Sequence, residues 1–127
     1  MIARTGALIS GFLVAGCAAV QASGGAVPPV VCSAASAPID ARMCLGDELK
    51  RAEEALATRL QVARLRAPNP TLVDSAQAAW LAYRRAQCEA EGEEYAGGTL
   101  EPVQQLECRV RLTRDRIDEV AAMYRST

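Results

Sequence analysis

Five cysteines are the residues of this chain with the clearest chemistry. Cys17 follows an apolar run near the start, and Cys32, Cys44, Cys88 and Cys108 are spread over the remainder. Four thiols can bind a metal ion or form two disulfides, and four cysteines allow three pairings. No two of these four have the Cys-x-x-Cys spacing that is typical of zinc sites. The pattern therefore predicts two disulfides and no metal site.

The position of a glycine pair predicts how these cysteines are joined. Cys88 and Cys108 each lie ten positions from residue 98, within a Gly97-Gly98 pair that would hinge two helices. Residues equidistant from the turn of an antiparallel helical hairpin lie opposite one another. We therefore expect a Cys88–Cys108 disulfide, and proximity in the sequence favours Cys32–Cys44 as the second. A bond from Cys32 to either of the later cysteines would contradict this arrangement.

The remaining residue types give little support for catalysis. The chain has no histidine, which removes the commonest general base and metal ligand. Its only lysine is Lys50, and the hydroxyls of Ser75 and Thr113 have no histidine partner. Paired carboxylates fall on exposed helical positions, where nothing would shift their pKa. We expect no enzyme and no cofactor, and a formal charge of −1 gives no basis for nucleic-acid binding.

The start of the chain has the organisation of an export signal. Arg4 precedes an apolar run of 11 residues, 6–16, which suits a signal peptide and is too short to span a bilayer. The run ends in Val14-Ala15-Gly16-Cys17, which resembles the bacterial lipobox, whose cysteine is lipidated and becomes the first mature residue. Ordinary cleavage after Val20-Gln21-Ala22 is the alternative, and it would remove Cys17.

These features divide the chain into a lipoprotein signal peptide (1–17), a flexible tether (18–31) and one helical domain (32–127). The tether contains Gly-Gly and Pro-Pro and has no usable periodicity. In a Gram-negative cell, Ala18 after the lipidated cysteine does not signal inner-membrane retention. We therefore expect an exported envelope protein, held at the outer membrane by its N-terminal lipid alone, with its remaining cysteines in an oxidising compartment.

Amphipathic stretches predict helices in the domain. The composition is 50% hydrophobic but only 4% aromatic, which favours helices over sheets. The first helix is predicted to begin near Asp40 as N-cap, to be interrupted at Gly46, and to end at Pro68-Asn69-Pro70. Its apolar face would consist of Leu45, Leu49, Ala52, Leu56, Leu60 and Ala63. The charged residues between them are predicted to be solvated: Glu48, Lys50, Arg51, Glu53 and Glu54.

Two further helices would flank the glycine pair. The second is predicted to begin at a Thr71/Asp74 capping box and to bury Val73, Ala76, Trp80, Tyr83 and Gln87. The third would start at Thr99, with Pro102 in its first turn, and bury Val103, Leu106, Val110, Thr113, Ile117, Val120 and Tyr124. The predicted fold class is all-α: a small antiparallel three-helix arrangement, in which a helical hairpin and an N-terminal helix are stapled by two disulfides.

One run of residues is specific enough to indicate a family. The run Gln77-x-x-Trp80-Leu81-x-Tyr83-Arg84-x-x-x-Cys88 resembles the signature of the LprI-like lysozyme inhibitor N-terminal domain family. The similarity continues through Gly97-Gly98-Thr99, Cys108 and Leu112-Thr113-x-x-Arg116, and upstream through Cys32 and Asp40-Ala41-Arg42-Met43-Cys44. It covers about residues 32–120. The first helix departs from the pattern, with Glu53, Ala57 and Leu60 where the family has Asp, Asn and Tyr.

The resemblance implies an exported, helical, cysteine-bridged domain, and some members of the family are linked to inhibition of lysozyme. We expect its motif residues to be mainly structural: Gln77, Trp80, Tyr83, Arg84, Gly97, Gly98, Thr113 and Arg116. In this interpretation Trp80 fills the core, Tyr83 covers its edge, and an arginine pairs with a carboxylate such as Glu53 or stacks on a ring.

Acidic residues concentrate around the glycine pair and suggest a partner-binding tip: Glu89, Glu91, Glu93, Glu94 and Glu101. A glycine loop flanked by acids is suited to a basic protein partner, such as a lysozyme whose cleft it would block without chemistry. The alternative is a solvated loop that binds no partner. The alternative function is a structural or accessory envelope protein that binds peptidoglycan or an assembly partner through its arginine-rich end and its Trp80/Tyr83 face.

Overall fold

Three α-helices make up the domain. The structure, a computed structural model, describes residues 32, 37–123 and 125. Within that part of the chain lie α1 (Pro38–Arg66), α2 (Pro70–Gly92) and α3 (Glu101–Met123), with a 3-10 turn at Glu93–Tyr95 and no strand. The all-α prediction is confirmed. The predicted signal peptide, lipobox and tether lie outside the described residues, and no described helix is long and apolar enough to cross a membrane.

The first helix is longer than predicted and is not interrupted. It begins at Pro38, whose missing N–H is no loss in a first turn, so Asp40 is a first-turn residue and not the N-cap. The helix continues through Gly46, where the predicted interruption is wrong. It ends at Arg66 because Ala67, which precedes a proline, is extended (φ −69°, ψ 135°).

The second helix begins two residues earlier than the predicted Thr71/Asp74 capping box. Its N-cap is Asn69, whose side-chain Oδ1 accepts a hydrogen bond from the Thr71 N–H at 3.1 Å. Asp74 caps nothing. It accepts instead from Arg64 Nε at 2.6 Å, and so links the end of α1 to the start of α2 across the proline turn.

Three small apolar clusters form the core, and α1 and α3 contribute most of it. Since two short connections join three helices, α1 and α3 run in the same direction and α2 is antiparallel to both. One cluster joins the starts of α1 and α3: Ala41, Leu45, Val103 and Val110. A second joins the opposite ends: Leu56, Leu60, Ala63, Val73 and Val120. The predicted faces of the first and third helices are thereby confirmed, except for Tyr124, which lies outside the described residues.

The predicted face of the second helix is wrong by part of a turn. Ala76 is exposed and Tyr83 is 52% exposed, whereas Gln77 is buried and Arg84 is half-buried. The reason lies at Cys88, which is fully buried against Cys108 and Leu112. Residues 77, 84 and 88 lie on one side of a helix, because they are separated by seven and four positions. When Cys88 faces α3, residues 77 and 84 therefore face α3 as well.

Both predicted disulfides are present. Cys88 and Cys108 join α2 to α3 with a Cα–Cα distance of 5.5 Å. Cys32 and Cys44 join the segment before α1 to its second turn with a Cα–Cα distance of 5.8 Å. Both distances are usual for disulfides. The hairpin bridge is buried within the core, while Cys44 is half-buried near the surface.

Glu48 corrects the predicted solvated face of the first helix. Only 8% of its surface is exposed. Its carboxylate accepts from Arg51 Nη2 at 2.8 Å and from Arg114 Nη2, so that an ion pair joins α1 to α3. The hydrogen bond from Arg51, followed by that from Arg114, holds the pKa of Glu48 below its usual range, although burial opposes the shift.

Replacing Gly46 with alanine tests whether α1 is uninterrupted. A Cβ at this position would have no atom within 4 Å, and its backbone is helical. Gly46→Ala is therefore expected to raise the free energy of unfolding by about 0.5–1 kcal/mol, measured by urea denaturation. The contrasting variant is Gly97→Ala, where φ is 76° and a loss of about 1 kcal/mol is expected. A destabilising Gly46→Ala change would show that α1 bends there.

Replacing Glu48 with glutamine tests the buried ion pair. Glu48→Gln is expected to lower the free energy of unfolding near pH 7 by about 1–3 kcal/mol, because Arg114 loses a charged partner. Since folding lowers the pKa of Glu48, its contribution is present above the unfolded pKa and is lost as pH falls through the folded pKa. The variant and the wild type should therefore converge in urea titrations at acidic pH. The exposed Glu54→Gln should stay within about 0.5 kcal/mol of wild type.

Candidate functional site

Five residues of the family motif meet where α2 packs on α3. Gln77, Trp80 and Arg84 share one face of α2, since spacings of three and four residues repeat on a helix. Thr113 and Arg116 face them from α3. Arg84 Nη1 donates to Thr113 Oγ1 at 2.7 Å, and Arg116 Nε donates to Gln77 Oε1 at 3.4 Å. The motif therefore links the two helices through side chains that would otherwise be buried without partners.

Trp80 is the centre of this group. The Cζ atoms of Arg84 and Arg116 lie 5.1 and 5.8 Å from the centroid of its ring, which is within the range of cation–π attraction. The half-buried ring also packs against two of the apolar clusters, that of Cys88 and that of Leu56. It therefore joins the two parts of the core that α2 covers.

Arg84 extends the group to all three helices. Its Nη2 lies 2.9 Å from Glu53 Oε1 on α1, in addition to its contacts with Trp80 and with Thr113. Thr113 is fully buried, and its hydroxyl donates to the Arg109 carbonyl at 2.6 Å. With their partners inside the domain, these side chains favour a structural role for the motif.

Two parts of the motif lie elsewhere. Tyr83 is 52% exposed and so lies at the surface of α2 and not in the core. The Gly97-Gly98 pair forms the turn of the hairpin. Gly97 has a left-handed backbone, its N–H donates to Glu101 Oε2 at 2.8 Å, and Gly98 N–H donates to Tyr95 O at 2.9 Å. The first carboxylate of α3 thus closes the turn.

The predicted acidic tip, residues 89–101, contains five glutamates and no basic residue. Two of the five are used inside the domain. Glu101 holds the turn, as described. Glu91 accepts from Arg111 Nη2 at 2.8 and 2.9 Å and from Gln87 Nε2 at 2.9 Å. The hydrogen bond from Gln87, followed by that from Arg111, lowers the pKa of Glu91 from its usual range.

Three glutamates remain available at the tip. Glu89, Glu93 and Glu94 are exposed, and none of them forms an ion pair with a residue that the structure describes. The structure therefore separates the five predicted acids into two that hold the hairpin and three that face solvent.

Apolar side chains, which the sequence did not single out, surround the tip. Leu100 of the turn is exposed, and so are Ile39 (59%) and Met43 (67%) in the first turns of α1. These lie at the same end of the molecule because α1 runs parallel to α3. Periodicity marked α1 as amphipathic but did not show which of its ends meets the glycine turn.

A cleft of about 330 Å³ lies between the start of α1 and the glycine turn. Its lining residues are Pro38, Ile39, Arg42, Gly97, Gly98, Thr99 and Pro102. Arg42 is the only charged residue among them. A second cleft of similar volume lies at the opposite end of the bundle and is lined by Arg59, Val62, Ala63, Arg66, Val120, Ala121 and Arg125. The described residues contain no group of three metal-binding side chains placed around a common point.

Replacing Thr113 with valine tests the motif contacts. Because Val cannot accept from the half-buried Arg84, Thr113→Val is expected to lower the free energy of unfolding by about 1–3 kcal/mol, measured by urea denaturation. Thr58 is a matched control, since its hydroxyl also donates to a carbonyl four residues earlier but is exposed. Thr58→Val should change stability by less than about 0.5 kcal/mol. Equal effects of the two variants would contradict a structural role for the Arg84–Thr113 contact.

Comparison with known proteins identifies a family and a relative. A family model described as "Lysozyme inhibitor LprI" matches residues 32–120, which include both disulfides and the whole motif group. An uncharacterized protein of Rhizobium meliloti (strain 1021) is 32% identical over an alignment of 114 residues, and the match covers 78% of this chain and 82% of that protein. No solved structure matches the chain. Because the family model covers well over half of the chain, this protein is a member of the LprI lysozyme inhibitor family.

Proposed function

We propose that this protein is an exported envelope lipoprotein that binds a lysozyme through its acidic tip and blocks the cleft of that enzyme. The observation that carries the proposal is a set of three exposed carboxylates near the glycine turn that have no ion-pair partner among the described residues: Glu89, Glu93 and Glu94. Membership of the inhibitor family supplies the class of partner.

Charge complementarity supports this choice of surface. Many lysozymes are strongly basic, so an acidic tip would accelerate encounter and orient the approach. The exposed side chains of Ile39, Met43 and Leu100 would then supply apolar area at the centre of the contact. Binding energy in protein interfaces is concentrated in such desolvated central groups, with charged residues around them.

The construction of the tip also favours tight binding. The Cys88–Cys108 disulfide joins the two arms of the hairpin, and the Glu101–Gly97 hydrogen bond closes its turn. A surface that is already ordered loses little conformational entropy when it binds. Inhibition by obstruction needs no chemical step, which accords with a chain that has no histidine.

The cysteines and the N-terminal sequence support the proposed location. Two disulfides are suited to an oxidising compartment. Lipidation of Cys17, with residues 18–31 as a tether, would hold the domain at the envelope through the lipid alone. In a Gram-negative cell the anchor would lie in the outer membrane.

A second candidate function is supported by the cleft at the opposite end. Arg59 and Arg125 line it beside apolar residues, and arginine is well suited to carboxylates. Peptidoglycan carries carboxylates on its peptides, so an accessory protein that binds this polymer is the alternative. Co-sedimentation with purified peptidoglycan, in the absence of any inhibition of a lysozyme, would favour this alternative.

Neutralising the tip tests the leading proposal. The triple variant Glu89→Gln/Glu93→Gln/Glu94→Gln is expected to raise the inhibition constant for a basic lysozyme by about tenfold or more at low salt and to reduce the salt dependence, because long-range attraction is lost. The measurement is the rate of cell-wall lysis against inhibitor concentration at several ionic strengths.

The matched control removes three exposed acids that lie outside the tip. Glu54→Gln/Asp115→Asn/Asp118→Asn changes the net charge equally, and these three side chains form no ion pair among the described residues. Its inhibition constant should stay within about twofold of wild type. Equal inhibition by wild type and the tip variant would exclude the tip, and no inhibition by the wild type would exclude the proposed function.

A further inference from the structure

Arg42 has no carboxylate partner among the described residues, and it lies at the end of the domain that carries the acidic tip. Six other arginines of the described chain pair with carboxylates: Arg51, Arg64, Arg84, Arg111, Arg114 and Arg116. Arg42 is exposed and pairs with none that the structure describes, although Asp40 is in the same helical turn and the glutamates of the tip lie at the same end. Arg59, Arg85, Arg109 and Arg125 likewise have no carboxylate partner among the described residues. Arg42 differs from these four because it lines the cleft beside the glycine turn, where it is open to an external group.

The surroundings of Arg42 restrict what that group is. Arg42 lines the cleft between the start of α1 and the glycine turn. The other lining residues are two prolines, Ile39 and residues 97–99, and none of them is acidic. A guanidinium prefers a carboxylate, which it binds through two parallel hydrogen bonds. Because Gly97 and Gly98 have no side chains, this side of the cleft leaves room for a partner to approach closely.

The arrangement of charge at the tip is the inverse of that expected in its partner. Retaining glycosidases such as lysozyme have two catalytic carboxyl groups about 5–5.5 Å apart, on either side of the bond that they cut. A basic lysozyme therefore presents acids at the centre of a positive surface. At the end of the domain that carries the tip, Arg42 lines the cleft, and Glu89, Glu93 and Glu94 are exposed.

We propose that Arg42 enters the active-site cleft of the lysozyme and pairs with a catalytic carboxylate there. This assignment rests on the proposed inhibitory function and names the group on the enzyme that the tip recognises. It also gives roles to the residues beside Arg42. Ile39 lies about one turn before Arg42 on α1, and Met43 is the next residue. Both side chains are exposed and would contact the walls of the enzyme cleft.

The scaffold holds Arg42 in position before binding. The residue lies in the second turn of α1, two positions before Cys44, whose disulfide to Cys32 braces that turn. The apolar cluster of Ala41 and Leu45 anchors the same turn to α3. Only the side chain of Arg42 therefore needs to be ordered when the contact forms.

A double-mutant cycle tests the pairing. Dissociation constants are measured by calorimetry for the mature chain and its Arg42→Gln variant, each with a basic two-carboxylate lysozyme and with the same enzyme after its catalytic glutamic acid is replaced by glutamine. Each single change is expected to weaken binding about tenfold or more, and the two together to weaken it little further, because both remove one interaction. Lys50→Gln is the control, since Lys50 is an exposed cation of α1 without an ion pair among the described residues, and it should bind as wild type does.

The outcomes separate the two proposals. If Arg42→Gln binds the lysozyme as tightly as wild type, or if the two changes are additive, the pairing is overturned while inhibition stands. If the wild-type chain binds no lysozyme, the proposed function itself falls. Circular dichroism melting curves of Arg42→Gln should match wild type, because the side chain is exposed. Arg42→Lys, which keeps the charge but loses the paired hydrogen bonds, should bind with intermediate affinity.

Discussion

The disulfide between Cys88 and Cys108 is the constraint on which most of this structure depends. It fixes the separation of the hairpin arms, and it also fixes the rotation of α2 about its own axis. Once Cys88 faces α3, helical periodicity brings Arg84, Trp80 and Gln77 to the same side. The contacts of these residues with Thr113 and Arg116 then follow. The family motif is thus a single interlocked unit, in which one covalent bond sets the register of several weaker contacts.

The arginines of the domain show a division between scaffold and surface. Where an arginine lies between helices it is paired, as Arg114 is with Glu48 and Arg84 with Glu53. Each of these pairs joins elements that are far apart in the sequence. At the tip, three glutamates have no ion-pair partner among the described residues, and they make that end of the domain acidic: Glu89, Glu93 and Glu94. The surface at the glycine turn therefore consists of groups that the internal ion pairs do not use. It is acidic, and its cleft contains a single cation, Arg42.

The sequence predicted the features that depend on local spacing. Equidistance from the glycine pair predicted the Cys88–Cys108 bond, and proximity in the sequence predicted Cys32–Cys44. Helical periodicity predicted the apolar faces of α1 and α3. All of these predictions are confirmed. It failed where polar residues replace apolar ones in the core. Gln77 is buried and Tyr83 is exposed, so counting apolar residues placed the face of α2 wrongly. Glu48 was assigned to solvent for the same reason, since its partner Arg114 is 66 positions away. The cleft at Arg42 could not be predicted, because it forms only when α1 packs beside the turn.

The bridge between Cys32 and Cys44 has a consequence for how a tethered molecule would be oriented. Cys32 packs against the cluster of Ala41 and Val103, so the chain enters the domain at the end that carries the glycine turn. If the protein is anchored at Cys17, only the 14 residues 18–31 separate the anchor from Cys32. A fully extended segment of this length limits the distance of the domain from the bilayer to about 50 Å. The tip would then inhibit a lysozyme only in the layer next to the membrane and would not reach one farther away.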